Sequence, residues 1–367
     1  QRQMCIRDRQ RRGIVLAKSF PCKKKGVITG ESIYSARRKC PYLEVYKPSY
    51  EVYRKYSNLM YNYLCTYSNI IERYSIDECF LDYTNSQKLF GDPVKVAYKI
   101  KSDIKRMFGF TVNVGVGNNK LLAKMASDFS KPDKVHTLFS YEVEKKMWSL
   151  DVADLFMIGK SSAKKLKDLN INTIYDLAHS DINYLTKYFK SMGKMMWEYA
   201  NGIDESVVEY KKREAKSISS STVLPYNYTN KDDIYKVFKM LSMDVGKKLR
   251  EKKLYAYKVG IWVKYADFIK VSKQNKLKNC INTDEDIYKN ATLLFDLLWN
   301  NEKVRALCVD ISDFTAHSEV QLDIFNANNQ SILKNDDKKL QGVMDSIRSK
   351  YGNDAIGYAD SIKSNRK

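Results

Sequence analysis

Between residues 217 and 311 the spacing of apolar residues switches between two and about 3.6, and that switching leaves little choice of fold for the stretch. A strand over 217–223, a helix over 232–252, strands over 255–264 and 268–276, a helix over 284–299 and a strand over 304–311 spell a complete βαββαβ unit. Lys258, Lys264, Lys270 and Lys276 alternate with apolar neighbours, so one sheet face is expected to be basic. Such a face suits duplex phosphates, or serves only solubility.

The whole chain shares that charge. Its 367 residues suggest several domains, and 64 Lys and Arg against 43 Asp and Glu leave a formal charge of +21 spread along the sequence. A polyanionic partner, nucleic acid before anionic membrane, is the economical explanation. No run of apolar residues is long enough to cross a bilayer, so no membrane partner is expected. Seven Cys without C-x-x-C spacing, and no signal peptide, are read as reduced thiols of a cytoplasmic protein; three widely separated His make zinc a poor candidate.

Chemistry points to residues 70–84, IIERYSIDECFLDYT, where Asp77 and Glu78 sit among Ile70, Ile71, Ile76, Phe80 and Leu81. The pattern predicts a hairpin of buried strands, and buried carboxylates call for a hard divalent cation. An exposed turn is the competing reading, since turns favour Asp. A helix over 50–67 precedes this hairpin; a helix over 94–108 and a strand over 111–116 follow. One more strand would complete a second βαββαβ sheet, and residues 13–49 supply only a strand at 13–17, a Lys/Arg-rich block and a helix over 31–39. Gly115 and Gly117 lack the GxxxxGK of a P-loop, but Lys124 and Lys131 offer point charges for phosphate. In 155–177, Ile158, Gly159 and Lys160 open a helix as in a DNA-binding helix-hairpin-helix, or an ordinary αα-hairpin.

YSIDECFLD, VGVGNNKLLAKMASDFSKPDK, IGKSSAKKLKDLNI and KSISSSTVLP, in that order, make the chain resemble the bacterial Y-family translesion DNA polymerases of the polymerase IV and UmuC-like group. The resemblance implies an α+β, multidomain right-hand polymerase. Its parts would be fingers (13–49), a βαββαβ palm lacking its first strand (50–139), a helix-hairpin-helix thumb (140–205), a linker (206–216), a βαββαβ little finger (217–316) and a tail (317–367). Asp77 and Glu78 would be the catalytic, metal-binding carboxylates for two Mg²⁺ ions, and Phe20, Lys23 and Lys131 would bind nucleotide. Ile158, Gly159, Lys160, Lys216, Ser217 and Ser219 would contact DNA. Gln321, Leu322, Ile324 and Phe325 of QLDIF resemble a sliding-clamp motif. Expected partners are primer-template DNA, deoxynucleoside triphosphates and the clamp, bound by a monomer.

Three departures accompany the resemblance. The family's first palm strand, with another metal-binding Asp, is expected before Gly13 and is not found, so the chain as written is expected to be impaired; residues 1–12 read as an artefact or disordered end. Phe20 and Lys23 replace a usual Tyr and Arg, and Phe156 and Met157 replace a usual Pro-Gly. The alternative function is a non-catalytic DNA- and clamp-binding protein; a Mg²⁺-dependent nuclease ranks third.

Overall fold

The structure, a computed structural model, describes residues 4–6, 13–211, 214–316, 342–348, 350–352 and 355–356. The chain divides into two compact units, Lys47–Lys212 and Gln1–Tyr46 with Arg213–Lys367.

In the second of these, strand β1 (Met4–Ile6) pairs antiparallel with β2 (Val15–Lys18), so residues 4–6 are ordered where the sequence reading expected an artefact or a disordered end over 1–12. Pairing requires no apolar periodicity, only extended backbone with free N–H and C=O groups. The basic block folds as short helices Phe20–Lys24 and Ile33–Lys39. Glu31 ties its turn together, and the Lys39 ammonium followed by the Ile28 amide holds its carboxyl down at about 2.

The C-terminal part of this unit has the anticipated element order. Strands β7 (Ser217–Tyr228), β8 (Tyr255–Tyr265), β9 (Lys270–Ile281) and β10 (Val304–Thr315) form one antiparallel sheet in the order β7-β10-β8-β9. Helices Lys231–Glu251 and Asp284–Asp296 cover one face, with Phe238 and Phe295 buried against Val259, Ile261 and Val263. Phe268, expected to begin a strand, has φ 74° and lies in the β8–β9 turn, its N–H donating to the Tyr265 carbonyl at 3.1 Å. Register places Lys258 opposite Lys276 and Lys264 opposite Lys270. Directly opposed like charges destabilise a sheet, a cost offset in part by Lys270 over the Trp262 ring at 4.4 Å, Lys264 over the Phe268 ring at 5.0 Å and Lys276 paired with Asp313 at 3.6 Å. Residues 342–348 are helical and dock through Asp345, which accepts from Arg250 at 2.5 Å; Arg250 also donates to buried Asp284 at 2.9 Å.

The Lys47–Lys212 unit contains helix Tyr50–Leu64, the antiparallel hairpin β3 (Ile71–Arg73) and β4 (Cys79–Leu81), helix Pro93–Phe108, strand β5 (Val114–Gly117), helix Lys120–Asp128 and strand β6 (Val135–Leu138), parallel to β5. The hairpin and the parallel pair are separate two-stranded sheets. In a split βαββαβ arrangement the opening strand lies between them, and no described residue of this unit fills that position. Beyond β6 the chain is helical to Ala200, and these helices share a core of Leu121, Leu122, Leu138, Leu166 and Leu177 with helix Lys120–Asp128.

Candidate active site

The amides of Tyr74 and Ser75 both donate to the Glu78 carbonyl, at 3.0 and 3.1 Å, and close the turn between β3 and β4. Asp77 and Glu78 therefore lie in the turn, Asp77 exposed and Glu78 half-buried, beside Ile76 at 50% exposure. This corrects the expectation of buried carboxylates: the apolar residues around the pair belong to two strands of only three residues each, too short to cover it. Ser75, which sequence reasoning passed over, fixes the first carboxylate. Its hydroxyl donates to Asp77 Oδ1 at 2.6 Å and accepts from the Asp77 amide at 3.3 Å. A Ser two residues before an Asp in a turn was the available signal.

Glu78 is held from the other side of the site. Lys124, on helix Lys120–Asp128, donates to Glu78 Oε1 at 2.6 Å and pairs with Asp128 at 3.2 Å. Asp128 in turn binds Lys131 at 2.7 Å. The helix reaches Glu78 because it lies directly on β5. A Cβ on Gly115 would sit 1.9 Å from the Ala123 carbonyl oxygen, and one on Gly117 2.7 Å from the Ala123 amide. These glycines serve close strand–helix approach, not phosphate cradling. Burial pushes Lys124 down, but Glu78 and Asp128 outweigh it and raise its pKa; burial pushes Asp128 up, but Lys131 and Lys124 hold it below the usual carboxylate range. Lys124 is thus engaged by carboxylates where the sequence suggested a point charge for phosphate. Asp128 was missed, although its i,i+4 spacing from Lys124 places the two on one helical face, with Lys131 in the loop just beyond the helix. A second mostly buried pair, Lys120 with Glu72 at 2.6 Å, ties β3 to the segment after the helices: Lys120 donates to the Val207 carbonyl and Glu72 accepts from the Glu209 amide.

The other expected site residues are dispersed. Phe20 (49% exposed) and Lys23 occupy the short helix of the other compact unit, and Lys216, Ser217 and Ser219 are exposed at the start of β7. Ile158 is buried, Gly159 is the N-cap of helix Lys160–Asp168 with open space around its α-carbon, and Lys160 is exposed. The helix start carries no side-chain cap, so its first amides face outward without a capping oxygen. Just before it Met157 has φ 71°, a left-handed conformation that glycine adopts freely. Met157→Gly is expected to raise stability by about 1 kcal/mol, read as a shift of the denaturant midpoint. Gln321, Leu322, Ile324 and Phe325 lie outside the described residues. The described cysteines are all free, and among the described residues no helix is long and apolar enough to cross a membrane.

An α+β chain with an acidic hairpin turn, lysines paired with carboxylates beside it and a lysine-lined sheet face has the features of an enzyme acting on nucleic acid, and comparison with known proteins gives the family. The impB/mucB/samB family model matches residues 1–128, and the model of that family's C-terminal domain matches residues 215–324. DNA polymerase IV of Clostridium acetobutylicum is 44% identical over 349 residues, covering 95% of this chain and 87% of that protein. DNA polymerase IV 1 of Bacillus subtilis is 32% identical over 358 residues, covering 97% and 85%. Among solved structures, a Y-family DNA polymerase chimera of Dbh and Dpo4 matches with TM-score 0.76 and 27% identity, over 86% of this chain and 92% of that one. An insertion ternary complex of Dbh DNA polymerase matches with TM-score 0.57 and 26% identity over the same shares. The chain belongs to the Y-family of DNA-directed DNA polymerases, the translesion class, with the right-hand α+β fold of that family.

Proposed function

We propose that the chain carries out template-directed, error-prone nucleotidyl transfer to a primer 3′-hydroxyl, with Asp77 and Glu78 as its metal-binding carboxylates and two Mg²⁺ ions as the metal. The observation that carries this reading is the pair of adjacent carboxylates on a Ser75-fixed turn, Asp77 exposed and Glu78 half-buried, joined through Lys124 and Asp128 to Lys131. The donors fit the ion. They are hard oxygens; Cys79, next in sequence, packs into the core beside Leu81 and Ile104. Magnesium takes one or two carboxylates and completes its shell with water and substrate phosphates. When bound, the metal pair supplies Lewis-acid activation of the attacking hydroxyl and charge stabilisation at the α-phosphate.

The chain's own residues do the rest. Lys131 holds the triphosphate as a point charge, and Phe20 and Lys23, in a fingers domain (13–49), contact the nucleotide. Palm (50–139) and thumb (140–205) follow, and the thumb amides around Ile158, Gly159 and Lys160 bind backbone phosphate without reading sequence. The little finger (217–316), joined by the linker 206–216, lays Lys216, Ser217, Ser219 and its lysine face along the duplex. The protein acts as a monomer in the cytoplasm, and the tail binds a sliding clamp through Gln321, Leu322, Ile324 and Phe325. An all-alanine QLDIF variant is expected to lose retention on immobilised clamp; undiminished retention would overturn the clamp assignment.

Single-nucleotide incorporation on a defined primer-template tests the enzymatic reading. Extension with the complementary nucleotide is the expected result. Salt-dependent DNA binding with no extension in Mg²⁺ would leave the non-catalytic, DNA-binding reading in its place.

A further inference from the structure

Glu78, Lys124, Asp128 and Lys131 form one unbroken chain of alternating charge, with contacts of 2.6, 3.2 and 2.7 Å. We propose that this chain couples nucleotide binding to metal binding: Lys124 and Asp128 are positioning residues that keep Glu78 paired until a triphosphate takes Lys131. The inference deepens the reading above and rests on its assignment of Glu78 to metal and Lys131 to triphosphate.

The argument is one of competition along the chain. Lys131 and Asp128 are about half exposed, at 52% and 44%, so theirs is the pair a multiply charged phosphate displaces most easily. Lys124 is only 14% exposed and cannot exchange its partners for water. Once Lys131 turns to phosphate, Asp128 keeps Lys124 as its remaining cation in the chain and draws it away from Glu78. Glu78, at 37% exposure, is then free to accept a cation. Without triphosphate the same Lys124 neutralises Glu78 and disfavours a metal there. Binding of nucleotide and of metal therefore favour one another, and the coupling is reciprocal. Helical spacing keeps the middle of the chain rigid: Lys124 and Asp128 are an i,i+4 pair on one helix.

Mn²⁺ affinity of the full chain on primer-template, read from the free-ion EPR signal with and without a non-hydrolysable deoxynucleoside triphosphate, tests this. In the unsubstituted protein the nucleotide should tighten Mn²⁺ by about tenfold or more beyond what the nucleotide binds by itself in solution. Asp128→Asn should cut that gain to about twofold while nucleotide binding measured in EDTA is unchanged or tighter. Lys124→Met should raise Mn²⁺ affinity without nucleotide by several-fold, and Lys124→Arg should restore the low value. Asp128→Asn and Lys124→Met preserve side-chain size, and melting curves confirm that all three variants fold. If Asp128→Asn and Lys124→Met keep the full nucleotide-dependent gain, the coupling is overturned. If Glu78→Gln leaves Mn²⁺ binding untouched, it is the underlying assignment of Glu78 that fails.

Discussion

Asp77→Asn is expected to lower nucleotide incorporation by on the order of 10³-fold while leaving primer-template affinity within about twofold. The substitution keeps shape and removes only the charge. Because Asp77 is exposed and its side chain is hydrogen-bonded to Ser75, the fold should hold or gain slightly as repulsion from Glu78 is relieved. The loss should fall on kcat with little change in KM for the nucleotide, since the carboxylate serves the reacting phosphate and not the base. Glu78→Gln should lose activity on a similar scale but behave differently toward nucleotide, because it also strips Lys124 of its 2.6 Å partner. Rapid-quench primer extension separates the two. Incorporation by Asp77→Asn within tenfold of the unsubstituted chain would remove Asp77 from the catalytic centre.

Neutralising the opposed lysines of the β8–β9 face should weaken DNA binding and strengthen the fold together. With Lys258, Lys264, Lys270 and Lys276 all changed to Gln, the slope of log affinity against log salt should flatten by about 0.9 for every lysine that meets a phosphate. Affinity at low salt should fall by about 10²-fold or more. The two opposed pairs, Lys258 with Lys276 and Lys264 with Lys270, should each return a few tenths of a kcal/mol of stability, on the order of the usual cross-strand term. Lys270 also stacks over Trp262 at 4.4 Å, so its share of the gain should be smaller. A higher melting temperature with an unchanged salt slope would mean that the face serves solubility and not phosphate. Equilibrium binding across a salt series, alongside thermal melts, reads both effects.

Much of this protein is legible in one dimension. The switch of apolar period located every element of the C-terminal sheet and its two helices, because burial on one face of a helix or strand repeats every 3.6 or two residues whatever the partner is. The same logic named Gly159 as a helix start and Lys258 through Lys276 as one outward set. The family followed from four residue patterns in a fixed order, YSIDECFLD among them.

Period does not report what lies opposite, and there the tertiary structure decided. Asp77 and Glu78 are in an exposed turn because β3 and β4 stop after three residues each, a limit set by where hydrogen-bond partners end and not by the hydrophobicity of the neighbours. Phe268 left its strand for a turn for the same reason. The confrontation of Lys258 with Lys276 depends on register, which a hairpin fixes through its turn. Lys124 meets Glu78 across 46 residues of sequence only because Gly115 and Gly117 let a helix settle on a strand. Local composition determined what each segment is; contacts distant in sequence, which form only when the chain closes on itself, determined which charges stand together.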